Sequence, residues 1–163
     1  MRVCSYVDRI VESGLNTVQK IVFTSNDVFN AIINTKLALC KERGIITSIN
    51  ISDEAVQYIE SSDIVIIFGN IFDNAIEAAE KTEEKIIILD VRLQGEYISI
   101  CMENSFDHRF SNVNLKTSKM DKTIHGIGIK NVCKVIEETD GMIECFESEE
   151  GMFCCDILLK KPI

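Results

Sequence analysis

The sequence predicts an α+β fold of two layers, in which a mixed and mostly antiparallel sheet is covered on one face by helices. Apolar residues recur with helical spacing in four segments, and shorter apolar runs of strand length lie between them. Tight turns at Gln94-Gly95 and at Glu149-Glu150-Gly151 join two pairs of these runs, which indicates hairpins. With 163 residues, of which 46% are apolar, the chain is long enough for one domain with its own core.

Charge and composition exclude several classes of protein. The chain has 17 Lys and Arg residues against 26 Asp and Glu residues, which gives a formal charge of −9 and a pI near 4.7. Without a clustered basic patch, so acidic a chain is a poor partner for the phosphate backbone of DNA or RNA. The longest apolar stretch, Ile64 to Phe72, is too short to cross a bilayer, and residues 1–20 lack the apolar core of a signal peptide.

The cysteines favour a reducing compartment, which is the cytoplasm. There are seven, an odd number, and no two of them form a C-x-x-C pair. We therefore expect buried apolar fillers or incidental thiols rather than metal ligands or nucleophiles.

The first half of the chain predicts three helices and one strand. Thr24 or Ser25 caps the second helix, and Gly44 ends it. Ser62 or Asp63 starts the third helix. The predicted elements, in order, are a helix over 2–23, a helix from about Asn26 to Gly44, a strand over Ile45–Ile51 and a helix from Ile64 to about Lys81.

The second half predicts two hairpins and one helix. A polar stretch of more than 20 residues, Asn104 to His125, has no sustained periodicity and is long for a compact domain, which indicates a functional lid or a mobile loop. The predicted elements are strands over Lys85–Leu93 and Glu96–Met102, a helix over Gly126–Asp140, and strands over Met142–Glu147 and Met152–Lys160.

A polar stripe runs along the otherwise apolar third helix. Asn70, Asn74 and Glu77 are spaced i, i+4 and i+7, so they share one face, with Asp73 beside them. A solvated face is the alternative interpretation, but Asn is a poor helix former and occurs here twice. Two carboxamide oxygens one turn apart are hard ligands that suit Mg²⁺ at the mouth of a pocket.

A second candidate lies where the polar stretch meets the fourth helix, in the run His125-Gly126-Ile127-Gly128-Ile129-Lys130-Asn131. Two glycines let a backbone approach a ligand, and the free N–H groups of a helix N-terminus attract phosphate. A Gly-x-Gly pair alone is more often an ordinary loop-to-helix junction. Upstream, Thr117-Ser118-Lys119 adds two hydroxyls and an ammonium that could close onto phosphates or simply be solvated.

Three stretches together, in this order, resemble the GHKL (Bergerat-fold) ATP-binding domain of bacterial sensor histidine kinases, most nearly that of the AgrC-type peptide-sensing kinases. They are Asn30 to Lys36, Gly69 to Ala78, and Thr117 to Lys119 leading to His125 to Asn131. The resemblance covers about Thr24 to Pro162. It implies a two-component histidine kinase that uses ATP and Mg²⁺ and takes part in a phosphorelay.

The resemblance also implies a role for each matching residue. Asn74 would coordinate Mg²⁺, and Asn70 is the preceding polar residue of the same box; these two are the expected catalytic residues. Ala78 would line the ATP pocket, Asn104 would face the adenine, and Lys119 would reach the phosphates from the lid. The other expected ATP-binding residues belong to the glycine run and are His125, Gly126, Ile127, Gly128 and Ile129.

Two positions depart from the usual pattern of this family. Asn104 stands where most histidine kinases have the aspartate of an Asp-x-Gly box, a change that AgrC-like kinases share. Glu77 replaces a basic residue that is often found three positions after the Mg²⁺ asparagine. Weak nucleotide affinity and a strong dependence on Mg²⁺ are the expected consequences. Because Asn70 is not a base, transfer to a histidine is favoured over ATP hydrolysis.

The resemblance divides the chain into residues 1–23, the C-terminal part of a dimerisation helix or linker, and residues 24–163, the ATP-binding catalytic domain. The only histidines, His108 and His125, are not expected to accept the phosphoryl group, since the family's acceptor lies on an upstream helix. The expected partners are that dimerisation and phosphoacceptor domain and a response regulator, within a membrane-anchored, homodimeric receptor. The alternatives are a degenerate GHKL domain that senses nucleotide or binds proteins, and a stand-alone GHKL ATPase or serine kinase.

Overall fold

The structure is a computed structural model that describes residues 21–107 and 127–163. It confirms the predicted α+β fold: helices pack on a five-stranded, mixed and mostly antiparallel open sheet. The helices are α1 (Asp27–Glu42), α2 (Asp53–Val56), α3 (Ser61–Ala79) and α4 (Ile127–Glu138). The strands are β1 (Ile46–Ile51), β2 (Ile86–Gln94), β3 (Tyr97–Ser105), β4 (Met142–Glu147) and β5 (Met152–Lys160).

The sheet has the strand order β1-β2-β3-β5-β4. Strand β1 runs parallel to β2, since α2 and α3 carry the chain back between them, and every other neighbouring pair is antiparallel. On β2, Ile87, Leu89 and Val91 are buried in the core, so this set of alternate residues faces the helices.

Helix α3 is the centre of the helical layer. It contacts both α1 and α4 and packs on β3. The fully buried rings of Phe29 on α1 and Phe68 on α3 meet edge to face, with 4.9 Å between their centroids. The position of α3 is therefore fixed by apolar packing along most of its length, and its polar stripe is held on a rigid element.

The opposite face of the sheet carries a polar row that crosses all five strands in register: Asn50, Asp90, Cys101, Asp156 and Glu144. Each of these residues lies between two neighbours that pack toward the helices, so its own side chain points the other way. Burial, assisted by Asp156, raises the pKa of the Cys101 thiol, which keeps it neutral between its acidic neighbours. We refer to these five residues as the acidic row.

Several predicted boundaries differ from the structure. Helix α1 is capped by Asn26, whose Oδ1 accepts a hydrogen bond from the Phe29 N–H at 2.9 Å, rather than by Thr24 or Ser25. Those two residues have other partners: Thr24 bonds to Asn30, and Ser25 bonds to Asp53. Helix α3 begins at Ser61, three residues before the predicted first residue Ile64, and has no side-chain cap, whereas Ser62 or Asp63 was the expected one.

Four further differences concern the termini of elements. The short helix α2, capped by Ser52, was not predicted. The first turn is formed by Gly95, at φ +63, and Glu96 rather than by Gln94-Gly95. Strand β3 continues to Ser105, so Asn104 is a strand residue. Residues 21–23 are not helical, so the helix predicted over 2–23 does not reach Phe23. The rest of that helix, and residues 108–125 of the predicted lid, lie outside the described residues.

Candidate functional site

The polar stripe of α3 forms as the helical spacing predicts, but its members have different surroundings. Asn74 is exposed, and its side chain has no hydrogen-bond partner among the described residues. Asp73 and Glu77 are also exposed, with side-chain exposures of 61% and 74%. Asn70 is half-buried. The carboxamide of Asn74 is therefore open to a ligand, whereas that of Asn70 is engaged within the protein.

Asn70 fills the space that a side chain at Gly128 would need. Its Nδ2 donates to the Ile66 carbonyl oxygen at 2.6 Å, one turn back on α3. A Cβ placed on Gly128 would lie 2.4 Å from Asn70 Oδ1 and 3.1 Å from its Cγ. Only glycine allows the first turn of α4 to come this close to α3.

This contact changes the interpretation of both residues. The sequence alone indicated that Gly128 is a glycine so that backbone can approach a ligand, whereas here it makes room for the Asn70 side chain. Because the Asn70 oxygen lies against Gly128, it is not presented beside Asn74 as a second metal ligand. Asn70 links the asparagine face of α3 to the start of α4.

An ion pair ties α1 to α3 beside Asn74. Lys36 Nζ lies 2.5 Å from Asp73 Oδ1, and the Lys36 side chain is only 19% exposed. Since Asp73 precedes Asn74 in the same helical turn, the ion pair restrains the segment that carries the candidate metal ligand. Lys36 belongs to the Asn30 to Lys36 stretch, and its pairing with Asp73 was not predicted from the sequence.

The acidic departure at Glu77 is locally paired. Lys81 Nζ lies 3.0 Å from Glu77 Oε1, one turn further along the chain. Both side chains are well exposed, at 58% and 74%, so the pair contributes little to stability. The pair nevertheless places the positive charge of Lys81 next to Glu77, at the position where the family usually has a basic residue.

Asn104 lies on the sheet face that packs against the helices. It is 3% exposed and pairs in register with Ile87 on β2 and Phe153 on β5. Its Nδ2 donates to the Ser105 carbonyl oxygen at 2.9 Å. A neutral side chain with one amide proton already used is buried here, in agreement with the absence of a charged aspartate at this position.

Two hydroxyls join the end of α3 to the end of β3, beside Ala78 and Asn104. Thr82 Oγ1 and Ser105 Oγ are 2.9 Å apart. Thr82 donates to the Ala79 carbonyl and accepts from the Lys85 N–H, and Ser105 accepts from the Ile86 N–H. Because the single hydroxyl proton of Thr82 is donated to the Ala79 carbonyl, Ser105 is the donor in the bond between the two hydroxyls. Sequence reasoning missed both residues, and only the position of Ser105 directly after Asn104 could have indicated one of them.

The glycine run is described only in part. Lys119, His125 and Gly126 lie outside the described residues. Ile127 begins α4, and Ile129 is 9% exposed, so its side chain packs inward from the first turn. The structure thus brings together Asn70 and Gly128, places Asn74 on the same helix, and sets Asn104 on the adjoining sheet. It contains no helix, within residues 21–107 and 127–163, with the length and apolar character needed to cross a bilayer.

A two-layer fold in which an asparagine-bearing helix packs against a glycine in the first turn of the next helix agrees with a GHKL-type domain. The family model described as a GHKL domain matches residues 59–160, and the chain belongs to this family. A comparison with curated proteins gives no match.

Solved structures of histidine kinases share the fold. The catalytic domain of histidine kinase ThkA, in a nucleotide-free form, is 18% identical with a TM-score of 0.63, and the alignment covers 85% of this chain and 94% of that one. The histidine kinase AdeS of Acinetobacter baumannii is 14% identical with a TM-score of 0.59, covering 99% of this chain and 78% of that one. At these identities the likeness shows the fold, and it confirms the resemblance to histidine kinase catalytic domains.

Proposed function

We propose that this domain binds ATP with Mg²⁺ and is the catalytic domain of a sensor histidine kinase. The observation that carries the proposal is the packing of Asn70 against Gly128. It brings the asparagine face of α3 and the N-terminus of α4 together in a domain that belongs to the GHKL family. An anionic ligand beside that helix terminus would meet free N–H groups and the positive end of the helix dipole.

The chemistry of the described residues fits this ligand. Asn74 offers an exposed carbonyl oxygen with no hydrogen-bond partner in the described part of the chain, which is the hard donor that Mg²⁺ prefers. Bound there, the ion would offset phosphate charge that a chain of net charge −9 is poorly equipped to neutralise. Asn104 would accept from the adenine amino group, Ala78 would line the pocket, and Lys119 would add a positive charge at the phosphates.

Phosphoryl transfer demands mainly that the nucleophile be positioned and the charge be neutralised. Asn70 is no base. Its Nδ2 donates to the Ile66 carbonyl and its Oδ1 packs against Gly128, so it acts as a positioning residue between α3 and α4. A histidine nucleophile needs no strong base, which favours transfer to a histidine on a dimerisation domain, followed by transfer to a response regulator. Residues 1–23 would join this cytoplasmic domain to the rest of a membrane-anchored, homodimeric receptor.

The test is the thermal unfolding of the 163-residue chain with and without Mg²⁺ and a non-hydrolysable ATP analogue. A ligand present at a hundredfold excess over its Kd stabilises the folded state by about 2.7 kcal/mol. For this size of domain, that is a rise in Tm of roughly 5–10 °C. Asn74→Ala should remove most of the rise. Asn50→Ala, the same substitution at an exposed site on β1, is the matched control and should keep it.

Three outcomes would redirect the proposal. No rise in Tm at millimolar nucleotide would refute ATP binding. Binding of a protein but never of nucleotide would favour the interaction module, for which Glu77 and Asn104 are the sequence support. Steady ATP turnover by the isolated chain, without an acid-labile phosphohistidine on an added acceptor domain, would favour a stand-alone ATPase.

A further inference from the structure

Two asparagines of α1 each bind the main chain of one residue in the segment that precedes the helix. Asn30 Oδ1 accepts from the Thr24 N–H, and Asn30 Nδ2 donates to the Thr24 carbonyl, both at 2.8 Å. Asn34 does the same for Val22, at 2.9 Å to the N–H and 2.8 Å to the carbonyl. Each carboxamide thus satisfies both polar main-chain groups of its residue, as a neighbouring strand would.

The spacing of the two pairs explains why they form together. Asn30 and Asn34 are one helical turn apart, a rise of ~6 Å, and two residues of extended chain span ~6.6 Å. Residue 24 pairs with residue 30 and residue 22 with residue 34, so the segment runs antiparallel to α1. The distance between the Asn30 and Asn34 side chains thus matches the two-residue repeat of an extended chain.

Exposure along the segment alternates in the same way. Val22 is half-buried and Thr24 is 5% exposed, whereas Ile21 and Phe23 are 70% and 89% exposed. Ser25 continues the attachment: its N–H and hydroxyl donate to Asp53 Oδ1 at 2.6 and 2.8 Å. The alternate residues 22 and 24 therefore face α1, and the attachment continues through Ser25 to the start of α2.

We propose that Asn30 and Asn34 form a binding site for extended main chain, an amide clasp, that fixes the direction in which the preceding chain joins the domain. The clasp binds main-chain groups at the edge of the domain, where Val22, Asn30 and Asn34 are half-buried, and we expect it to open as a local unit while the core stays folded. Its closed state orients the joining segment along α1, which contacts α3 and, through Lys36, the turn that carries Asn74. This inference does not depend on nucleotide binding.

Amide hydrogen exchange, measured by NMR on the full chain, tests the clasp. We expect the Val22 and Thr24 amides to be protected. Asn34→Ala should accelerate exchange at Val22 by about tenfold or more, the factor expected when two ordinary hydrogen bonds are lost together. Amides in the core of β3, such as Ile100, should be accelerated less than Val22, because the higher helix propensity of Ala offsets part of the loss in the global free energy of unfolding but does nothing for the local opening at Val22. The ¹⁵N relaxation of Val22 should change from rigid to mobile.

Two further variants separate the clasp from a general loss of stability. Asn34→Asp keeps the acceptor for the Val22 N–H and loses the donor to its carbonyl, so Val22 should exchange at a rate between those of the wild type and Asn34→Ala. Thr35→Ala, the exposed neighbour on the same helix, should leave Val22 unchanged. Exchange of Val22 at the unprotected rate in the wild type, or equal acceleration of Val22 and Ile100 in Asn34→Ala, would overturn the proposal.

Discussion

Replacing Gly128 by alanine tests whether the α3 to α4 contact is as close as the structure has it. The new Cβ would lie 2.4 Å from Asn70 Oδ1, far inside the contact distance of the two atoms. Asn70 cannot swing aside freely, because its Nδ2 is bonded to the Ile66 carbonyl at 2.6 Å. Either that bond breaks or the first turn of α4 moves away from α3.

The expected cost follows from two opposing effects. Overpacking of this kind costs about 1–3 kcal/mol. The higher helix propensity of alanine offsets up to about 1 kcal/mol of this cost in a helix interior, and less in a first turn. We therefore expect Gly128→Ala to lower the free energy of unfolding by about 1–2 kcal/mol, measured by urea denaturation.

Gly69→Ala on α3 is the matched control. Within residues 21–107 and 127–163, a Cβ on Gly69 would have no atom within 4 Å beyond its chain neighbours and the backbone of its own helix, so the gain in helix propensity dominates. This variant should raise the free energy of unfolding by up to about 1 kcal/mol. Glycine to alanine is thus expected to lower the free energy of unfolding at Gly128 and to raise it at Gly69, on two helices that are in contact.

A double-mutant cycle decides whether Asn70 is the cause. In an Asn70→Ala background the nearest remaining atom of residue 70 is its Cβ, 3.4 Å from the new methyl, which is an ordinary contact. The cost of Gly128→Ala should then fall by about 1 kcal/mol or more. Equal costs of Gly128→Ala in both backgrounds would refute the reasoning.

Three other predictions concern separate parts of the domain. Hydrogen bonds from Ser25, first from its main-chain N–H and then from its hydroxyl, lower the pKa of Asp53 below its usual 3.8. An NMR titration should therefore find the Asp53 midpoint below 3.8. In Ser25→Ala the midpoint should still be lowered, because the main-chain N–H remains. The stabilisation from this carboxylate is complete above its unfolded-state pKa and is lost as the pH falls through the lower folded value. Burial raises the pKa of the Cys40 thiol to about 11. Because only the thiolate reacts, iodoacetamide at pH 8 should label Cys40 roughly a hundredfold more slowly in the folded chain than in the urea-unfolded chain. Equal labelling rates would contradict this. Thr82→Val removes the acceptor of the Lys85 N–H and leaves the Ser105 hydroxyl with only its contacts to Ile86, so it should lower the free energy of unfolding by about 1–3 kcal/mol, whereas a change below about 0.5 kcal/mol would show that the hydroxyl pair is not needed.

Local patterns in the sequence predicted much of the fold. The bounds of β4 and β5 agree with the prediction because Gly141 and the turn ending at Gly151 mark them on both sides. The stripe of Asn70 and Asn74 follows directly from the helical repeat. Fold class also followed from the order of elements, since hairpins interspersed with helices leave few two-layer arrangements.

Contacts between elements could not be predicted in this way. Gly128 looks like any glycine at a loop-to-helix junction until α4 is placed against Asn70, which is remote in sequence. Asn30 and Asn34 likewise have the spacing of an ordinary polar helix face, and only the path of residues 21–24 gives them a partner. The missed cap at Asn26 has the same origin, because Asn and Ser are equally good caps by residue type and only the contacts of Thr24 and Ser25 with Asn30 and Asp53 decide among the three.

The acidic row places a group of carboxylates on the side of the sheet away from the asparagine face. Three carboxylates, Asp90, Asp156 and Glu144, share that row on the face away from the helices. The repulsion that these three carboxylates would exert on a triphosphate is thus separated from the asparagine face by the thickness of the sheet, about 10 Å between layers. That distance is close to the Debye length at physiological salt, about 8 Å. Ionic strength should therefore govern how fast an anionic nucleotide approaches this domain more than how tightly it is held, with diluted salt slowing its arrival.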